Sequence, residues 1–300
     1  AYAGAPFLPG PTTRQVLVIF VQFSDLSGQL ENPGRMKDMI FTSTNPYSMK
    51  RYYWENSYGQ FTITSAPTLS TAWVRLPGTL ASYGADGSKP PDDLNADITV
   101  SYAGRAIDLA SKPPYNVDFS TLDKNGDNVI DDAVKNGVQD AAILIVHAAP
   151  LNSNATGSER RRGGQEEGGD PNNIWSHHTT ITGGQPVNGK RVTTYETVGE
   201  ESPVGLVAHE FGHGLALPDL YNAETGQSSP VSTWDIMDQG TWNGRLAGVG
   251  AGERPALMST WCKQFLGWST PVKLTQKLLG AQIHALNLQG IASPNVQAYE

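Results

Sequence analysis

"GLVAHEFGHGLALPDLY", residues 205–221, places two histidines, one glutamate and one aspartate between positions 209 and 219. An α-helix turns about 100° per residue, so His209 and His213 lie within about 40° of each other, one turn apart. Their imidazoles can grip one ion from the same side. Glu210 sits one step off that face, where its carboxylate reaches a water on the ion without displacing it. This is the physical content of H-E-x-x-H, two zinc ligands and a general base. The competing reading is a helix with two satisfied histidines and a solvated glutamate.

A catalytic zinc takes three protein ligands and keeps one position open. Were the helix to continue, Asp219 would lie about 240° around from His213 and about 9 Å along, out of reach. The chain must turn back. Pro218 disfavours helical geometry at Leu217, so the helix should end near Ala216 and let Asp219 swing towards the metal. At the other end, Ser202-Pro203 supplies an N-cap and first-turn pair.

Working outward, "RQVLVIFVQF" (14–23) is a nearly unbroken apolar run that reads as a central strand, and "AAILIVH" (141–147) reads as another buried strand. "SMKRYYWENSYGQFTITSAP" reads as a helix ending at Gly59 followed by a strand from Gln60 to Ser65. "TAWVRL" (71–76) and "RVTTYETVG" (191–199) are extended. From Asp93 to Ala110 the apolar positions follow helical spacing. A late helix is expected from Pro255, burying Leu257, Met258, Trp261 and Phe265. Beyond Trp268 the pattern alternates and turns. The chain therefore divides into a catalytic domain over 1–270 and a β-rich tail, 271–300, that can begin a further small domain.

The site motif resembles the H-E-x-x-H-x-x-G-x-x-(H or D) signature of the metzincin zinc peptidases. It is most similar to the aspartate-ended version of the immune inhibitor A family of secreted bacterial metallopeptidases. "VLVIFVQFSD", "YYWENSYGQFTI", "IWSHH" (174–178), "STWDIMDQGTWNG" and "RPALMSTWCKQFLGW" are similar too, so the likeness spans about 14 to 270. The resemblance implies an α/β fold of the metzincin kind: a twisted mixed sheet, an active-site helix, and a methionine turn carrying Met237 beneath the zinc. It implies hydrolysis of internal peptide bonds, with His209, His213 and Asp219 holding Zn²⁺ and Glu210 as base. It also implies export, hence a secreted, extracellular protein acting on protein or peptide substrates. One position departs from the signature: Ala216 stands where glycine is expected. Alanine in a left-handed turn loses roughly 1–2 kcal/mol that glycine does not.

"DKNGDNVIDD" (123–132) spaces oxygen ligands at Asp123, Asn125 and Asp127, with the Val129 carbonyl and Asp131 or Asp132 to follow, the register by which a loop wraps calcium. It departs from an EF-hand, with Asn128 at the sixth position and Val134 at the twelfth. The plain alternative is a solvated acidic turn. Glu166, Glu167 and Asp170 are candidates for a second ion. His177 and His178 follow a tryptophan and could line a cleft, and His147 ends a buried strand and could sit near the active helix; with no spacing to a second ligand all three read first as ordinary core or surface histidines, and His284 carries no signal. The lone Cys262 sits among large apolar residues and reads as a buried, inert thiol. Tyr221 is a weak candidate for the proton donor or oxyanion partner.

Composition bounds the rest. With 38 % hydrophobic and 17 % charged residues and 32 glycines in 300, the chain is globular and loop-rich. Its formal charge of −8 disfavours nucleic acid or an anionic membrane as partner, and no apolar run reaches spanning length. A monomer is expected. Two other classes stay in view. One is a non-catalytic binding or cell-surface module stabilised by zinc and calcium, although an adjacent base such as Glu210 is foreign to structural zinc sites. The other is a zinc peptidase whose third ligand is Glu224 or Glu253, neither of which has suitable helical spacing.

Overall fold

The computed structural model describes residues 12–29, 32–66, 72–84, 99–149, 173–222, 229–244 and 249–270. The expected tail at 271–300, His284, and the ion candidates Glu166, Glu167 and Asp170 lie outside them.

Among the described residues, the core is a mixed, mostly parallel sheet of seven strands. Strand β1 (Thr12–Gln22) is its centre. On one side it pairs in parallel with β2 (Phe61–Ser65) along its first half and with β3 (Val74–Arg75) at its end. On the other side lies β7 (Ala142–His147), again parallel. Next comes β9 (Lys190–Gly199), parallel to β7, with the short β4 (Val129–Ile130) joining β9 near its start. The edge strand β8 (His177–Val187) runs antiparallel to β9. Strands β5 (Val134–Lys135) and β6 (Val138–Gln139) form a small separate hairpin. Val16 to Val21 and all of β7 are buried, as both faces of a parallel sheet require.

Neighbouring residues of β9 show what covers each face. Thr197 meets Tyr102, whose hydroxyl lies 2.9 Å from Thr197 Oγ1, and Tyr102 belongs to a π-wound turn (Thr99–Gly104) leading into a short helix, Arg105–Ala110. Glu196 points the other way, towards the helix of the quoted motif, Val204–His213. That helix packs on a second one, Met49–Asn56: Tyr53 donates to the Ala208 carbonyl at 2.6 Å and its ring meets Phe211 edge-on at 5.0 Å. The two apolar runs thus become a platform, and the motif helix lies across one side of it.

Three readings change. The amphipathic stretch at 93–110 is described only from Thr99, and there it starts as a π turn. The late helix begins at Thr260, not Pro255, and Leu257 and Trp261 are each 37 % exposed. The cause is long-range bonding. The Ala256, Met258 and Ser259 amides donate to Gly240 O, Asn56 Oδ1 and Asp235 Oδ2, and Ser259 then caps the helix through the Cys262 amide. Finally, the structure adds strand β8, which the apolar pattern does not mark. Its signal was Asn188-Gly189, where φ is +46° and +74°, the pair that closes a tight hairpin onto β9.

Candidate metal centre

The motif helix ends as its sequence demands. Leu217 N bonds to Gly212 O at 3.1 Å and Ala216 N to His213 O at 2.7 Å, the paired bonds of a Schellman cap. Ala216 is its left-handed residue, at φ +68°. The chain then reverses through Pro218, and Asp219 returns to the helix. Leu220 N donates to Met237 O at 2.8 Å, tying this return to a second turn.

Asp219 Oδ1 lies 3.3 Å from His209 Nε2 and 3.4 Å from His213 Nε2. Ligand bonds of about 2.0–2.1 Å in a tetrahedron give ligand–ligand edges of about 3.3–3.4 Å, the separations found here. The other ring nitrogens are already committed. His209 Nδ1 is 2.8 Å from Ile236 O, and His213 Nδ1 is 2.8 Å from Leu217 O. Bonds of that kind fix the tautomer and aim the Nε2 lone pairs at the ion. Two lone pairs therefore converge on a carboxylate oxygen that is buried and lacks a hydrogen bond of good geometry. Only a cation or protons on the rings can satisfy such a cluster, and the donor set fits a metal.

Burial and charge set the proton affinities. Burial alone would depress His209, but Asp219 and Glu210 outweigh it and raise it to about 9. Burial pushes Asp219 up, while the two imidazoles hold it well below the usual carboxylate range. Protons and metal thus compete for one position. Glu210, also buried, is raised by desolvation, with His209 and His213 pulling the other way.

Met237 lies beneath the site, fully buried. A Cβ on Gly212 would come within 2.7 Å of its Sδ, so the glycine between the two histidines is what lets the sulfur sit there. Its turn is held by Asp235, which accepts from Met237 N at 2.7 Å. Tyr221 stacks over His209, ring centroids 6.5 Å apart, and its phenol is raised by burial and by the nearby Asp219 and Glu210 carboxylates. Around these groups opens a cleft of about 420 Å³, also lined by Ser176, His177 and His178.

The acidic loop is arranged otherwise. Carboxylate oxygens of Asp123, Asp127 and Asp140 lie within 4.8 Å of one another, and Asp140 is a member the sequence did not point to. Lys190 Nζ is 2.8 Å from Asp123, and Lys135 pairs with both Asp127 and Asp131. Asn125 Nδ2 donates to Asp140 at 3.0 Å, and Val129 sits in strand β4. Asp132 stands apart from the cluster. It is paired instead with Arg14 and with His178, because the buried Arg14 guanidinium needs a counter-charge there. His147 is buried and held low at about 4 by burial, and Cys262 is buried with its thiol raised by desolvation.

Comparison with known proteins places this geometry in a lineage. A profile of the immune inhibitor A peptidase M6 catalytic domain matches residues 9–269. Immune inhibitor A of Bacillus thuringiensis subsp. alesti is 30 % identical over 276 residues, covering 78 % of this chain and 37 % of that protein. The pre-pro-metalloprotease PrtV of Vibrio cholerae serotype O1 is 30 % identical over 294 residues, covering 85 % of this chain and 30 % of that protein. The chain thus spans about a third of the length of the relatives it matches. Among the described residues, no helix is long and apolar enough to cross a membrane. With its match to the catalytic-domain profile across nearly the whole described region, the chain belongs to the immune inhibitor A family of metallopeptidases.

Proposed function

We propose that this chain is the catalytic part of a secreted zinc endopeptidase that cuts internal peptide bonds in proteins. His209, His213 and Asp219 are the metal ligands and Glu210 is the general base. One observation carries the reading: the buried Asp219 oxygen and two pre-aimed imidazole nitrogens converge at tetrahedral spacing, with a carboxylate beside them. Zinc bound there supplies Lewis acidity and a water whose pKa falls to about 7.

Glu210 takes the proton of the attacking water and passes it to the leaving amine. Burial suits it to both steps, because a raised proton affinity lets it hold the proton between them. Ile236 O and Leu217 O keep both rings in the tautomer that presents Nε2. Met237 supports the floor of the site without ligating, in the manner of a methionine turn. The reading includes a monomeric state, no nucleic-acid partner, and a tail at 271–300 that opens a further small domain.

A structural calcium ion in the loop 123–131 is part of the same proposal. Asp123 and Asp127 with Asp140 form its carboxylate cluster, and calcium would displace the Lys190 and Lys135 ammonium groups.

Glu210→Gln tests the catalytic assignment. The variant should keep the fold and metal stoichiometry yet lose about 10²–10⁴-fold in turnover of casein or a quenched fluorescent peptide. Wild-type turnover would overturn the assignment of the base. His213→Ala should lose metal and activity together.

A further inference from the structure

His177 and His178 are successive residues of β8, so the strand sends their side chains to opposite faces. His177 also borders the cleft but is buried with both nitrogens used: Nδ1 is 2.8 Å from Trp175 O, and Nε2 is 2.7 Å from the Tyr195 hydroxyl. His178 lies in the wall of the metal cleft, its ring centroid 6.2 Å from that of His213. Its Nε2 is 2.8 Å from Asp132 Oδ2, and Nδ1 has no hydrogen-bond partner among the described residues.

The grip on that ring is deep. Asp132 is salt-bridged to Arg14, which is 2 % exposed. Arg14 in turn donates Nε to Asp140 O at 3.0 Å and Nη1 to Gly214 O at 2.8 Å. One imidazole edge is thus fixed, through two charged groups, to the central strand and to the end of the ligand-bearing helix. His177 is held at both nitrogens, His178 at one. Asp132 can only accept, so the ring donates Nε2–H to Oδ2, and the tautomer that this bond selects keeps the lone pair on Nδ1. A rigid, unshared acceptor in a cleft built for peptides calls for a donor, and an extended peptide offers main-chain N–H groups.

We propose that His178 is a substrate-binding residue whose Nδ1 accepts a hydrogen bond from one main-chain N–H of the bound peptide, with Asp132 and Arg14 as its positioning residues. This rests on the peptidase reading above. No covalent step is involved. The contact exists in ground and transition states alike, so it acts on KM more than on kcat.

The test uses a panel of quenched fluorescent peptides cut by the wild type, each N-methylated at one backbone position. Binding of the same peptides to the zinc-loaded Glu210→Gln protein is measured by calorimetry. His178→Ala should raise KM and the calorimetric Kd by about 3- to 10-fold, the worth of one neutral hydrogen bond, while kcat and zinc content change little. One N-methylation should cost the wild type the same factor and cost His178→Ala nothing more. His178→Asn, whose Oδ1 can stand in for Nδ1, should restore part of the loss and remain sensitive to that methylation. If Ala disturbs zinc content or melting, His178→Phe keeps the ring volume without the acceptor and should give the same pattern. Peptide binding within 2-fold of the parent, or a methylation penalty that persists undiminished in Ala and Phe, overturns the proposal. A wild type that cuts no peptide, with Glu210→Gln indistinguishable from it, would instead bring down the peptidase reading.

Discussion

Glu196 shows how a single residue can be held against its solution preference. It is 1 % exposed, and neither carboxylate oxygen has a hydrogen-bond partner among the described residues. Gly214 makes room for it, since a Cβ there would lie 2.7 Å from Glu196 Oε1 and 3.2 Å from Arg14 Nη1. Arg14 lies close but is spent on Asp132, so burial, with Asp132 and Glu210 nearby, raises Glu196 well above the usual range. A raised carboxylate stays protonated in the folded chain after the unfolded chain has released its proton, at about pH 4.5. The folded state then binds more protons, so Glu196 costs stability progressively as pH rises above that value. Glu196→Gln keeps the shape and removes the titration. Its melting temperature should match the wild type near pH 4.5 and exceed it at pH 8. An equal difference at both pH values would count against a neutral, buried Glu196.

At the scale of the element, the end of the ligand helix decides where Asp219 goes. A straight helix would carry that residue to the far side, and the Schellman cap at Gly212–Leu217 turns it back. Ala216 bears the left-handed φ of +68° that glycine adopts freely. The strain is about 1–2 kcal/mol, and glycine's extra backbone entropy offsets about 0.5–1 kcal/mol of it. Ala216→Gly should therefore stabilise the fold by up to about 1 kcal/mol in denaturant titration, with metal affinity unchanged. A loss of stability would mean that the turn is not strained in this way.

For the whole molecule, the two proposed ion positions join parts that the chain keeps far apart. The metal centre links the helix, the return at Asp219 and the Met237 turn; the acidic cluster links the 123–131 loop to Asp140 and, through Lys190, to β9. An ion bound only by the folded state stabilises it by about 2.7 kcal/mol at one hundred times its dissociation constant. Stripping zinc with a chelator should lower the melting temperature, and adding zinc should restore it. The zinc dissociation constant should weaken as pH falls below about 9, because the His209 proton competes. Millimolar calcium should raise melting further, a gain that Asp123→Ala with Asp127→Ala should abolish. Melting indifferent to calcium after stripping would remove the calcium proposal.

Local physics alone determined a good deal of this protein. Two short, nearly unbroken apolar runs rich in β-branched residues read as buried strands, and both lie at the centre of the sheet. The i, i+4 histidines share a helix face by the pitch of the helix, and Pro218 marks where that helix must fail. These follow from contacts within a few residues of chain. What tertiary structure decided are choices between local options that only a distant partner resolves. Residues 255–259 had helical spacing, but their amides were claimed by Gly240, Asn56 and Asp235 from elsewhere. Asp132 fell in the calcium register, yet the buried Arg14, 118 residues earlier, drew its carboxylate to the other side. His178 looked like its neighbour His177 until the pleat and Asp132 separated them. A buried charge takes its partner from whatever the fold brings beside it, and sequence spacing carries no record of that choice.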